Sequence, residues 1–158
     1  MLGVDLGAAR VGVAVSDSRR TLAAPLTTLA VGGAGEAGVV DRLVALVDDQ
    51  GAAAVVVGLP LSLDGRRGPA ARAASVLADR LAAALATRGV PVELADERFT
   101  TVTAHQALAA TGRRSRQRRA VVDRAAATVL LQAWLDARRA GAGAATGGSG
   151  GGKEADRP

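Results

Sequence analysis

The sequence predicts an α/β fold in which a mixed five-stranded sheet carries helices on both faces. Two patterns lead to this. The chain opens with three strand-like segments joined by short turns, and it then alternates helix-period segments with short apolar runs. The resulting order, βββ-α-β-α-β-α-α, suits an antiparallel start followed by parallel crossovers. Length sets the scale. Of 158 residues, the Gly- and Ala-rich stretch from Gly141 to Pro158 cannot bury a core, so residues 1–140 are expected to form one domain and 141–158 a disordered tail.

Each element has its own signal. Leu2–Leu6 is a short apolar segment interrupted by Asp5. Val11, Val13 and Val15 alternate with small or polar residues at period two, the mark of a strand, and Gly7–Arg10 supplies the turn between them. Thr21–Leu29 is a third strand, broken by Pro25 or placed by it at an edge. Val40, Leu43, Val44 and Val47 have helical spacing within Val39–Asp49, and Gly51 ends that helix. Ala53–Val57 is a continuous apolar run suited to a strand buried on both faces, stopped by Gly58-Leu59-Pro60. Gly58–Gly68 is a loop with no Walker-type ending, read as a shaping loop at the site. Pro69 opens a helix that presents Val76, Leu77, Leu81 and Leu85 on one face and is capped by Gly89. Val90–Ala95 is the fifth strand. Thr100 or Thr101 caps a helix over Val102–Ala110. A last helix spans Arg119–Arg139, with Gly141 as its stop and Trp134 on its apolar face.

Composition excludes several functions. There is no cysteine, hence no disulfide scaffold, no thiol nucleophile and no thiolate zinc site. His105 is the single histidine, and it is read as a packing or surface residue. With no tyrosine, Phe99 and Trp134 are the only aromatics, too few for a base-stacking surface. No apolar run reaches the ~18 residues of a membrane span. The start shows no basic region followed by an apolar stretch, so a cytoplasmic protein without a membrane partner is expected. The net charge is +5. Arg113, Arg114, Arg116, Arg118, Arg119 and Arg124 are opposed only by Asp123, so this one segment equals that balance. Such a cluster is fitted to grip a phosphate backbone without reading sequence. Arg10 and Arg98 are further candidates for phosphate contact, or for buried ion pairs.

Three acids stand out by context. Asp5 interrupts an apolar strand, where a carboxylate is costly unless paired, protonated or bound to a cation. Glu97 follows an apolar strand, at the end where ligands gather in such sheets. Asp96 competes with it, and strand alternation lets only one of the two face Asp5. Asp123 lies early in the last helix, ahead of the small Ala126 and Ala127. Carboxylates held together repel, and a divalent cation relieves the repulsion; Mg²⁺ or Mn²⁺ is the natural occupant when oxygen ligands are all that is offered. Such ions support phosphodiester hydrolysis.

Four segments in order, GVDLGAARVGVAVSD (Gly3–Asp17), VVVGLPLSLDGRRG (Val55–Gly68), ADERFTT (Ala95–Thr101) and VVDRAAATVLLQAWL (Val121–Leu135), resemble the YqgF/RuvX family. The likeness spans about Leu2–Arg139. It implies an RNase H-like fold and a metal-dependent nuclease site in which Asp5, Glu97 and Asp123 match the family's three acids. Its members are assigned both to pre-16S rRNA processing and to Holliday junction resolution. The resemblance therefore implies a nucleic-acid partner, with pre-16S rRNA favoured over branched DNA, because a resolvase needs a two-fold dimer and no dimer surface is evident in the sequence. Monomer and homodimer both remain open. A noncatalytic rRNA-binding assembly factor is the competing class. An actin-like ATPase, to which GVDLG alone would point, needs two such domains and does not fit in about 140 residues.

Overall fold

A computed structural model describes residues 1–32, 35–62, 64–97 and 116–146. Strands β1 (Leu2–Leu6), β2 (Arg10–Ser16) and β3 (Ala23–Ala30) come first, as the period-two pattern requires. Helix α1 (Gly35–Gln50), β4 (Val55–Leu59), α2 (Pro69–Leu85), a short 3₁₀ turn (Ala86–Arg88), β5 (Val92–Asp96) and helix α3 (Arg116–Thr146) follow. The sheet order is β3-β2-β1-β4-β5. β1, β2 and β3 are antiparallel neighbours, whereas β1, β4 and β5 run parallel. The sheet is therefore mixed and five-stranded, as expected. Pro25 sits in β3, an edge strand, and the β2–β3 register shifts between Val13 and Ala14. An edge tolerates the missing N–H.

Alternation sorts the strands into two faces. Leu2 and Val4, Val11 and Val13, and Val55 and Val57 join the buried residues of α1 and α2 in one core, among them Leu43, Leu77, Leu81 and Leu85. On the other face Ala14, Ala54 and Val56 meet Ala127, Leu131 and Leu135 of α3. The residues on this second face are small, and that is what lets α3 lie close. A Cβ at Gly12 would stand 2.0 Å from the carbonyl oxygen of Asp123, and one at Gly3 would stand 2.7 Å from Leu131 Cβ. Both glycines are sites where a helix touches sheet backbone.

Four expectations are corrected. β4 passes through Gly58 and Leu59 and ends at Pro60, because a glycine interior to a strand permits close approach rather than ending the ladder. Val76 is 41% exposed; the inward face of α2 is built from Ala71, Ala74, Leu77, Ala78, Leu81 and Leu85, so small alanines do the packing expected of the valine. α3 starts at Arg116 and continues to Thr146. It passes Gly141, where a single glycine costs only about 1 kcal/mol in an alanine-rich run. α1 begins at Gly35, a turn earlier than its apolar periodicity. Gly51 and Gly89 stop their helices with positive φ, as their positions require. The helix expected over Val102–Ala110 lies outside the described residues, as do Phe99, Thr100, Thr101 and His105. No helix among the described residues is long and apolar enough to cross a membrane.

Candidate active site

The parallel strands β1, β4 and β5 all end at one edge of the sheet, and the acids gather there. Asp5 is the next-to-last residue of β1 and Glu97 follows the last residue of β5. Asp5 lies in register with Gly12 on β2. Gly58 on β4 lies in register with Ala95 on β5, one step beyond the Val4–Val57 pair that joins β1 to β4. Asp5, Gly12, Gly58 and Ala95 thus form one row on the α3 face of the sheet.

Glu97 reaches into this row. Its Oε1 lies 2.5 Å from where a Cβ on Gly58 would stand. The Glu97 carboxyl lies within side-chain hydrogen-bonding reach of the Asp5 carboxyl. Burial, then the charge and hydrogen bond of Asp5, then the charge of Asp96, push the Glu97 carboxyl up to about 7. Asp96 is in register with Leu59, whose side chain belongs to the α1/α2 core. Of the two neighbouring acids it is therefore Glu97 that faces Asp5.

Asp123 arrives from the other side. The close fit of α3 onto Gly12 sets its backbone directly over the residue that pairs with Asp5. Its Oδ2 is buried with no hydrogen-bond partner among the described residues. Arg10 Nη1 stands 3.9 Å away, within ion-pair range but beyond hydrogen bonding. Burial raises the Asp123 carboxyl, against the downward pull of Arg10.

The three acids are thus brought to one edge without merging. Asp5 and Glu97 touch, while Asp123 is turned to Arg10, and no cluster of three or more metal-ligating side chains forms among the described residues. The donor chemistry nonetheless suits a hard divalent cation. Two carboxyls lie within hydrogen-bonding reach of each other, and a third carboxylate oxygen, on Asp123, is buried and unsatisfied among the described residues. Asp5, Glu97 and Asp123 are the residues that could hold such an ion.

Arg10 is half-buried beside Asp123, the ion-pair alternative left open by the sequence. Arg98, Arg113 and Arg114 lie outside the described residues, as do the side chains of Arg116, Arg118 and Arg119, which stand at the start of α3. The loop after β4 closes on itself through a Leu61–Arg67 bridge and a hydrogen bond from Ser62 N to Arg66 O of 3.1 Å. Gly58 was read as part of a shaping loop at the site, not as an interior strand position, and Gly12 escaped sequence reasoning as part of the site. The available signal was a glycine where a strand pattern calls for a side chain. Trp134 is half-buried beside the α3 core, with the Arg138 guanidinium 4.3 Å from its ring centre.

Comparison with known proteins agrees with this architecture. The model of the RuvX family, described as Holliday junction resolvase, matches residues 1–137. A protein of Mycolicibacterium paratuberculosis is 50% identical over 139 residues, 88% of this chain and 81% of its own length. One of Nocardioides is 50% identical over 148 residues, 92% of each chain. One of Chloroflexus aurantiacus is 43% identical over 139 residues, 88% of each. All three are named, provisionally, as pre-16S rRNA nucleases. Among solved structures, Thermus thermophilus RuvC in complex with a Holliday junction substrate superposes with a TM-score of 0.56 at 16% identity, over 88% of this chain and 96% of that one. A second RuvC structure gives 0.55 at 17% identity, over 89% and 97%. At that identity the likeness establishes the fold, which is RNase H-like. The match across residues 1–137 and the identity to the curated relatives establish the rest: this chain belongs to the RuvX family of nucleases, hydrolases acting on ester bonds.

Proposed function

We propose that this chain is a metal-dependent nuclease that hydrolyses phosphodiester bonds in structured nucleic acid, and that its substrate is the precursor of 16S rRNA at its 5′ end. The observation that carries the reading is the meeting of Asp5 and Glu97 at the carboxyl edge of the sheet, with a further buried, unsatisfied carboxylate oxygen on Asp123 of the helix that covers that face. A half-buried carboxyl pair is costly in a fold that has no use for it. Asp5, Glu97 and Asp123 would hold Mg²⁺ or Mn²⁺, which supplies activation of water and stabilisation of the leaving oxygen.

The chain's own residues do the rest. β1 and β5 hold two acid side chains in one place, and α3, seated on Gly3 and Gly12, screens that face of the sheet. Leu130 and Leu131 are buried on the same helix, which keeps water from the flank of the pair. The arginine cluster that precedes Asp123 in the sequence would supply a grip on the phosphate backbone. Such contacts position a substrate without reading bases, which suits end-trimming of a folded RNA. The provisional names of the relatives favour RNA, and a cytoplasmic location would suit the processing of an rRNA precursor. The description attached to the family model favours a second substrate, a four-way DNA junction.

The test is to incubate the purified chain and its Asp5→Asn variant with both substrates and Mn²⁺. The reading expects wild-type cleavage of the RNA precursor and a loss of at least ~100-fold in the variant. Equal activity from both proteins would remove the metal–carboxylate mechanism. Cleavage of the junction alone would move the assignment to DNA.

A further inference from the structure

Resting on the reading of Asp5 and Glu97 as the pair that holds metal, we propose that Gly58 is the positioning residue for that pair: its missing side chain is the space in which the two carboxyls meet. The sheet order makes this necessary. β1 and β5 are not neighbours, because β4 lies between them. Adjacent strands are about 4.8 Å apart, so β1 and β5 are separated laterally by roughly 9.6 Å, and Glu97 lies one residue past the end of β5. Two carboxyls from second-neighbour strands can touch only by lying across the strand between them. On the α3 face of β4, the residue in that row is Gly58.

The contact distances agree. A Cβ at Gly58 would stand 2.5 Å from Glu97 Oε1, 3.4 Å from its Cδ and 3.0 Å from Leu130 Cδ2. The first is closer than real side-chain atoms approach, and the methyl would occupy the place taken by the Glu97 carboxyl. What it meets are the ends of two flexible side chains, not backbone. The fold can therefore absorb the methyl by turning Glu97 away, and the result of turning it is separation from Asp5. A merely structural glycine would have backbone in its path, as Gly12 does. Gly58 touches neither metal nor substrate in this account. It acts through Glu97.

The experiment is a calorimetric Mn²⁺ titration of the full chain in four forms: wild type, Gly58→Ala, Glu97→Gln, and the double variant. Gly58→Ala is expected to weaken Mn²⁺ binding about ten-fold or more, the usual effect of disturbing the residues that orient a ligand. In the Glu97→Gln background, which keeps the crowding and removes the charge, the further loss is expected to stay under about two-fold. Unchanged affinity in Gly58→Ala overturns the inference, and so does an equal loss in both backgrounds. A Gly58→Ala chain that does not fold overturns it too, since both side-chain ends in its path are free to turn. If wild type binds no Mn²⁺, the metal reading of the pair falls by itself. The metal-free crystal structure of Gly58→Ala then decides the positioning role. Carboxyls out of hydrogen-bond reach uphold it, and carboxyls still joined overturn it.

Discussion

Replacing Gly12 with alanine should separate the site from the sheet beneath it. The added Cβ would lie 2.0 Å from the carbonyl oxygen of Asp123, 2.5 Å from its carbonyl carbon and 3.2 Å from the backbone nitrogen of Arg124. All three atoms are backbone, so no rotamer change relieves the contact. The helix must lift by about 1.4 Å, from 2.0 Å to the 3.4 Å of an ordinary contact. Ala127, Leu131 and Leu135 anchor the same helix in the core and resist that movement. Overpacking against side chains costs about 1–3 kcal/mol. Against backbone the upper end applies, ~3 kcal/mol, which for a domain of this size lowers Tm by about 10 °C. Asp123 moves with the helix, and a displacement near 1 Å at a reacting group costs about 100-fold in rate. The assay is a urea or thermal melt beside a nuclease assay run well below the variant's melting point. Gly32→Ala is the control, because nothing among the described residues stands within 4 Å of that position; it should stay within about 0.5 kcal/mol of wild type. If Gly12→Ala melts with wild type, the close approach of α3 is refuted. If it melts lower but keeps full activity while folded, the placement of Asp123 in the reaction is refuted.

Three further expectations follow from the same geometry. Arg10→Gln should raise the Asp123 carboxyl further, since Arg10 is the group that pulls it down, and should cost about 0.5–1 kcal/mol of salt-sensitive stability; an NMR titration showing Asp123 unmoved would contradict the pairing. Glu97, pushed up to about 7 from 4.5, keeps its proton in the folded chain across a window in which the unfolded chain has released it. Metal-free stability should therefore fall as pH rises from about 4.5 through 7, and Mn²⁺ affinity should rise over the same range as binding displaces the proton; urea midpoints in EDTA that are flat between those values would contradict the buried pair. Leu131→Ala, at a fully buried position under α3, should cost about 2–5 kcal/mol through the cavity it leaves, and a loss below ~1 kcal/mol would show that α3 is not packed as described.

The sequence made the fold legible wherever periodicity was strong. β1, β2, α1, α2 and α3 each carry an apolar pattern with its own period, and the mixed sheet follows from their order. Boundaries were harder where one residue serves two purposes. Gly58 reads as a strand end because glycine is a poor strand former, yet it lies inside β4, where the Glu97 carboxyl from the end of the neighbouring strand stands in the way of a side chain. Val76 reads as core by spacing, but the sheet selects alanines on the neighbouring face of α2. Asp5 was legible as an acid out of place in an apolar strand. The choice between Asp96 and Glu97 was not, because alternation assigns faces only once the register to β4 is known. The turn of Asp123 toward Arg10 was likewise invisible, since it depends on the line along which α3 crosses β2.

The central claim is that Asp5, Glu97 and Asp123 hold one divalent cation, and a Mn²⁺-soaked crystal with anomalous scattering measures this most directly. An anomalous peak is expected at the Asp5–Glu97 pair at saturating Mn²⁺. The absence of a peak between Asp5 and Glu97 under that condition would contradict the claim.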